Sequence, residues 1–380
     1  MIAIIKRSRL TLLAAGGAFL LSGIPIKAQN FRQVNLVTDD KLVNPAVIED
    51  ANLVNAWGVS YSPTSPFWVS DNGTGLSTLY RVNPTTDVPT KVGLEVTIPP
   101  AVAGGTGNPT GQAFNPQAGA FNGDPFLFVS EDGTISGWRG ALGTTAERFQ
   151  LADPNNVYKG TTFDTTAGHS YLLSANFRSG NIDVLKGDAG APDLTGKFTD
   201  PAIPAGYAPF NIRNLEGKVY VTYALQDGAK HDDVAGAGNG FVSVFDLQGV
   251  FQGRVASRGT LNSPWGLEIA PASFGPLAGD LLVGNFGDGK ISAFDLTGNV
   301  FEGQVPGVGG APLAIDGLWA LTVGNGSGAG SSSKVYFTAG PNGESHGLFG
   351  VLGVPDGGSA LTVLVMGLIG MAIFPRRRSA

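Results

Sequence analysis

The chain of 380 residues carries 14% charged residues, 57 glycines, 24 prolines and no cysteine, which excludes a disulfide scaffold, a zinc ribbon, an iron–sulfur site and a thiol nucleophile. Hydrophobic residues make up 42%, enough to bury a large core, so the glycine and proline content points to a turn-rich all-β chain rather than to disorder. Between Gln29 and Pro355 stand 17 Lys and Arg against 29 Asp and Glu, a net charge of −12; such a surface argues against a nucleic-acid partner.

Residues 1–28 read as a secretory signal peptide. Lys6, Arg7 and Arg9 form a positive start, residues 10–21 a short apolar run, and Ile26-Lys27-Ala28 a cleavage site before Gln29. An uncleaved N-terminal anchor is the competing reading, although the run is short for a span. Residues 31–37 then alternate in strand fashion, and this strand is expected to complete the outer edge of the last repeat.

Six segments follow with one plan, anchored on Trp57, Thr110, Lys159, Pro209, Trp265 and Trp319, at intervals of 49 to 56 residues. The first joins Trp57-Gly58 to Phe67-Trp68-Val69-Ser70-Asp71-Asn72, and the second joins Thr110-Gly111 to Phe126-Leu127-Phe128-Val129-Ser130-Glu131-Asp132. The third runs from Lys159-Gly160 to Asn176. The fourth runs from Pro209-Phe210 through Tyr223 and is interrupted by a long loop, 227–240, containing His231, Asp232 and Asp233. The fifth runs from Pro264-Trp265-Gly266 to Asn285, and the sixth from Leu318-Trp319 to Gly340. Each unit offers three or four short runs of Val, Phe, Tyr, Leu and Ile separated by Asn-Gly, Asp-Gly or Gly-Asp turns, which are strand and hairpin signals. Repeats of about 40–50 residues with about four strands each fit a β-propeller, so residues 29–353 are expected to form a six-bladed β-propeller. The competitors are a solenoid, which would need polar caps, and a pair of sandwiches.

The C-terminal segment, 354–380, has three parts. Val354-Pro355-Asp356-Gly357-Gly358-Ser359 precedes an apolar stretch, 360–374, closed by Arg376, Arg377 and Arg378. At 1.5 Å per residue that stretch is short for a transmembrane helix, and the arginines would hold the C-terminus in the cytoplasm. The order resembles the PEP-CTERM class of sorting tails, in a form similar to its Val-Pro-Asp-Ser-Gly variant but with Gly357 in place of serine. The resemblance implies Sec export, recognition by an exosortase-type membrane protease, and a cell-surface or extracellular location with at least transient membrane anchoring. A simple C-terminal anchor is the alternative. The Trp-Gly and Pro-Trp-Gly-Leu motifs with trailing Phe-Asp resemble NHL and gluconolactonase-like blades. Body and tail together resemble a family of exported bacterial six-bladed propellers that has no assigned activity, so the likeness implies architecture and address but no reaction.

Inner-strand entrances and second-strand exits share one face of a propeller. That face collects Asn55, Asn108, Asn156 and Asn262 with Asn72 and Asn176, and it offers Asp71, Glu131, Asp132, Asn285 and Asp316 as oxygen ligands for Ca²⁺ or Mg²⁺. The gluconolactonase-like resemblance implies a divalent metal there, with an acid/base carboxylate acting on a lactone. The competing reading is that these Asn and Asp residues only serve turns. His231 with Asp232 and Asp233 offers a general base or metal ligand at the mouth, against a plain solvated loop; His169 and His346 read as surface or hairpin residues. Trp57, Trp265 and Trp319 read as core wedges between blades, and Trp68 and Trp138 as core or stacking surface. No P-loop and no Gly-x-Ser-x-Gly elbow occurs in the body. Two functions stand: a non-catalytic exported scaffold for polysaccharide or surface-protein partners, and a divalent-metal-dependent lactonase or hydrolase.

Overall fold

In the computed structural model, which describes residues 29–354, the apolar runs fold as six mainly antiparallel sheets around a common axis. The signal segment 1–28 and the tail beyond Val354, including the sorting motif from Pro355 onward and the arginine triplet, lie outside the described residues. Among the described residues no helix is long and apolar enough to cross a membrane, and the helical pieces are short 3₁₀ turns such as Ala272–Leu277.

Blade 1 orders Ala56–Ser60, Phe67–Asp71, Leu76–Val82 and Pro89–Lys91 from the axis outward. Blade 2 orders Pro109–Phe114, Phe126–Ser130, Ile135–Trp138 and Glu147–Gln150, whereas blade 3 has three strands, Tyr158–Thr166, His169–Asn176 and Asn181–Lys186. Blade 4 begins Tyr207–Leu215 and Lys218–Leu225, and blade 5 begins Pro264–Ile269 and Leu281–Asn285. Blade 6 orders Leu318–Val323, Val335–Ala339 and Leu348–Gly353, and then takes its fourth strand, Arg32–Thr38, from the other end of the chain. That strand pairs antiparallel in the register Val34↔Val351 and buries Leu36 and Val37 completely. The ring is therefore closed by hydrogen bonds between chain ends, as the alternation of residues 31–37 led one to expect.

Every inner strand breaks register against its neighbour at the same place: between Ala56 and Val59, Pro109 and Gln112, Tyr158 and Thr161, Pro209 and Asn211, Pro264 and Gly266, and Leu318 and Leu321. A bulge re-aims the side chain it carries. The first residue inside each of these six bulges is, in order, Trp57, Thr110, Lys159, Phe210, Trp265 and Trp319. Five of them turn toward the axis. Trp319 stacks on Trp57 at 3.7 Å, meets Trp265 at 5.9 Å and reaches Phe210 of blade 4 at 6.0 Å. Lys159 of blade 3 lies 5.1 Å from the Trp57 ring centre. Contacts between blades 6 and 4, and between blades 3 and 1, are possible only across the axis. The tryptophans are thus an axial plug rather than wedges between neighbouring blades, and the fourth repeat is anchored by Phe210, one residue later than Pro209. Thr110 is the exception, since its hydroxyl donates to the Tyr158 carbonyl at 2.8 Å.

Glycine immediately after that first bulge residue lets adjacent inner strands touch. A Cβ at Gly111 would stand 2.6 Å from the Thr161 amide nitrogen, and one at Gly160 would stand 2.6 Å from the Asn211 Cα. In blade 4 the equivalent position is Asn211, whose amide donates to the Trp265 carbonyl at 2.6 Å and ties blades 4 and 5 together.

Candidate functional site

The face bearing the inner-strand entrances also receives the second-strand exits, because paired strands run antiparallel. Asn55 and Asn72 show the arrangement: Asn72 N–H donates to the Asn55 carbonyl at 3.1 Å, and the two side chains meet at 3.3 Å. Asn55 takes φ 48°, a left-handed turn that asparagine tolerates, and so feeds the chain steeply into blade 1.

From this pair a polar network crosses the mouth. The Trp319 indole N–H donates to Asn55 Oδ1 at 3.0 Å, and Asn55 Nδ2 donates to Glu344 Oε2 at 2.7 Å. Asn72 Nδ2 donates to Glu131 Oε2 at 3.0 Å. The other Glu131 oxygen, Oε1, accepts from the Lys159 ammonium, which also reaches Asp232 Oδ1 at 3.3 Å. Asp232 in turn holds His231 Nδ1 at 2.8 Å. Residues from blades 6, 1, 2, 3 and the blade-4 loop are joined in one chain, and the 227–240 insertion does reach the mouth.

Lys159 is the centre of this network, with a side chain only 3% exposed. Burial works against its charge, but Glu131 and Asp232 outweigh burial and hold the ammonium above its usual pKa. The ion pairs with Glu131 and Asp232 thus favour its charged form. Asp232 is held below the usual carboxylate range by Lys159 and His231 despite partial burial. Burial pushes Glu344 and Asp233 upward.

Among the described residues, Glu131, His231 and Asp232 each present a ligand atom within 4.8 Å of the others. Of the five oxygen ligands expected from sequence, only Glu131 belongs to this group. Asp71 is fully buried, accepts from Thr78 N–H at 3.1 Å and, desolvated by blade 1, has a pKa raised well above the ordinary carboxylate range. Asp132 turns back on Thr134 N–H at 2.9 Å, and Asp316 accepts from Asn342 N–H at 2.8 Å. Asn285 is a buried latch: its oxygen accepts from Asn262 N–H at 3.0 Å, and its amide donates to the Thr260 and Lys290 carbonyls. Asp71 and Asp132 thus bond within their own hairpins, whereas Asn285 and Asp316 each tie two neighbouring turns together. His169 and His346 pair with Asp188 at 3.0 Å and Asp39 at 2.8 Å, and neither imidazole joins the network.

Sequence reasoning placed Asn55 and Asn72 on this face but left Lys159 and Glu344 of the network unassigned. One signal was present: Lys159 occupies the repeat position where Trp57, Trp265 and Trp319 stand, so a charge sits where its equivalents are core.

No family model matches the chain. Protein R648 of Acanthamoeba polyphaga mimivirus, described as uncharacterised, is 30% identical over 320 residues, covering 78% of this chain and 75% of that protein. Protein L690 of the same virus, likewise described, is 31% identical over 313 residues, covering 80% and 81%. Among solved structures, a glucose dehydrogenase superposes with a TM-score of 0.48 at 12% identity, over 80% of this chain and 98% of that one. BBS1N in complex with ARL6DN gives 0.45 at 12% identity, over 86% and 98%. At TM-scores below 0.5, neither likeness bears on function.

Proposed function

The chain belongs to the family that includes proteins R648 and L690 of Acanthamoeba polyphaga mimivirus, so its function has to be read from its own site: we propose that it is an exported, non-catalytic binding propeller whose mouth holds a neutral, polyhydroxylated ligand, an envelope or extracellular polysaccharide. The observation that carries this reading is Lys159. The carboxylates that a hydrolytic propeller would aim at a metal or a substrate are here spent on the chain's own ammonium. What remains at the rim is a fixed set of amide, carboxylate and imidazole groups, Asn72, Asp232 through Oδ2, His231 and Glu344, held in place by Glu131. Rigid planar groups of this kind suit hydroxyl-rich ligands, because each accepts or donates in a set direction. The plug of Trp57, Trp265, Trp319 and Phe210 closes the axis beneath them, so the ligand would lie across the mouth.

Export rests on residues 1–28 and on the tail from Val354. The partners in that step would be the Sec machinery and an exosortase-type protease, and the membrane contact would be the C-terminal apolar stretch.

A second reading, a lactonase using Ca²⁺ or Mg²⁺, is favoured by the approach of Glu131, His231 and Asp232. The donor set does not fit a resident divalent ion as it stands. Both Glu131 oxygens are engaged by Asn72 and Lys159, and Asp232 Oδ1 is shared between Lys159 and His231. The two readings separate in one experiment. The full chain, Glu131→Gln and Asp232→Asn are tested against neutral polysaccharides including dextran, and against a panel of lactones and esters. Saturable glycan binding that weakens in both variants, without turnover, is expected. Lactone or ester turnover abolished by Glu131→Gln, or failure to bind any polysaccharide, would overturn the proposal.

A further inference from the structure

The opposite end of the axis holds a cavity of about 310 Å³ lined by inner-strand residues of blades 1, 2, 3, 4 and 6, among them Ser60, Gln112, Thr162, Arg213, Asn214 and Thr322. Its volume falls within the range of small-molecule pockets, roughly 300–1,000 Å³. We infer that this lower mouth is a second binding site, independent of the first, for a small hydroxylated carboxylate held by Arg213.

The guanidinium is the cavity's cation, and the protein leaves it largely unspent. Its nearest acceptors among the described residues are the Leu321 carbonyl at 3.5 Å and Glu268 Oε2 at 3.6 Å. Both lie beyond the 2.7–3.2 Å typical of N–H donors. Glu268 is itself satisfied elsewhere: its oxygens accept from Ile269 N–H at 2.8 Å and Val323 N–H at 3.0 Å. It therefore neutralises Arg213 at a distance without using its planar fork. Arg213 lines the cavity, and a guanidinium carries five N–H groups in a planar fork that matches a carboxylate, more than these two long contacts use.

The walls say what else the ligand carries. Thr162 accepts from Asn214 N–H at 3.1 Å, and its own proton finds no acceptor among the described residues. Asn214 uses its amide nitrogen on Asp164 at 3.1 Å and keeps its oxygen. One donor and one acceptor beside a cationic fork call for hydroxyls next to a carboxylate. The walls are also braced: Gln112 takes the Ser60 hydroxyl at 3.0 Å and donates to the Gly58 carbonyl at 2.9 Å and Ser70 at 3.1 Å. The site is set before a ligand arrives, which limits the ordering cost of binding.

Calorimetric titration of the full chain with sodium glucuronate, with glucose as the neutral control, tests this. Saturable binding of glucuronate and none of glucose are expected, with affinity about tenfold weaker or worse in Arg213→Met, the loss of a charge-assisted pair. Because Arg213→Met leaves Glu268 unpaired, Arg213→Lys, which keeps charge but loses the fork, and Thr162→Val are measured alongside, and both are expected to weaken binding. Dextran, the probe for the first mouth, should not compete, so either site can fail without the other. Absence of saturable glucuronate binding, equal binding of glucose, competition by dextran, or unchanged affinity in the folded Arg213 variants would overturn the inference.

Discussion

Replacing Lys159 by methionine keeps the length of the side chain and removes its charge, which leaves Glu131 facing an aromatic plug with no cation. Removing one member of a buried pair costs about 3–5 kcal/mol, because the partner's charge stays desolvated. Glu131 is 15% exposed and keeps Asn72, whereas Asp232 is 65% exposed and loses little. The lower end of that range, about 3 kcal/mol, is therefore expected, and it includes the ammonium's attraction to the Trp57 ring, roughly 1 kcal/mol. In a chain this long about 3 kcal/mol corresponds to a fall of roughly 6 °C in melting temperature. The double variant Lys159→Met/Glu131→Gln removes both charges and should return to within about 1 kcal/mol of the parent. Urea unfolding of the parent, both single variants and the double variant at pH 7 closes the cycle. If Lys159→Met were as stable as the parent, or the double variant no better than Lys159→Met, the pairing would not be what holds the mouth.

Three other outcomes follow from the structure. Burial raises the Asp164 carboxyl to about 6; a carboxyl raised above its unfolded value of about 3.9 favours the fold at low pH and loses that contribution as pH rises through about 6. Asp164→Asn should therefore abolish a decline of up to roughly 3 kcal/mol between pH 4 and pH 7, seen as urea midpoints that converge at pH 4 and separate at pH 7; parallel curves would contradict it. Gly160→Ala places a Cβ against the Asn211 backbone and should cost about 3 kcal/mol or prevent folding, whereas an unchanged urea midpoint would mean that blades 3 and 4 do not touch as described. Val37→Asp buries a charge in the closing strand, which should release residues 29–38 to limited proteolysis and lower the melting temperature; protection equal to the parent's would argue against closure by that strand.

The propeller was legible because the strands repeat a local code. Apolar runs with period two, cut by Asn-Gly and Asp-Gly turns, fix the sheets, and the recurrence near Trp57, Trp265 and Trp319 fixes their number. Closure was legible for the same reason, since residues 31–37 alternate but belong to no unit. The site was legible only as a face. Adjacent strand residues point to opposite sides, so Asp71 and Asn72 have opposite fates: one is sealed in blade 1, while the other joins Glu131 across the mouth. Without the inner-strand bulges, spacing alone could not show that position 159 swings to the axis or that Phe210, not Pro209, matches it. Arg213 and Glu268 were silent because their meaning arises from blades 4, 5 and 6 meeting 50 to 110 residues apart.

The divalent-metal content of the chain purified without chelator, read together with its melting temperature in excess Ca²⁺, bears most directly on whether Lys159 fills the cation's place. A substoichiometric metal content and an unchanged midpoint are expected. One tightly held ion per chain, with a midpoint that climbs with Ca²⁺ concentration as a ligand of the folded state requires and an effect lost in Glu131→Gln, would contradict it.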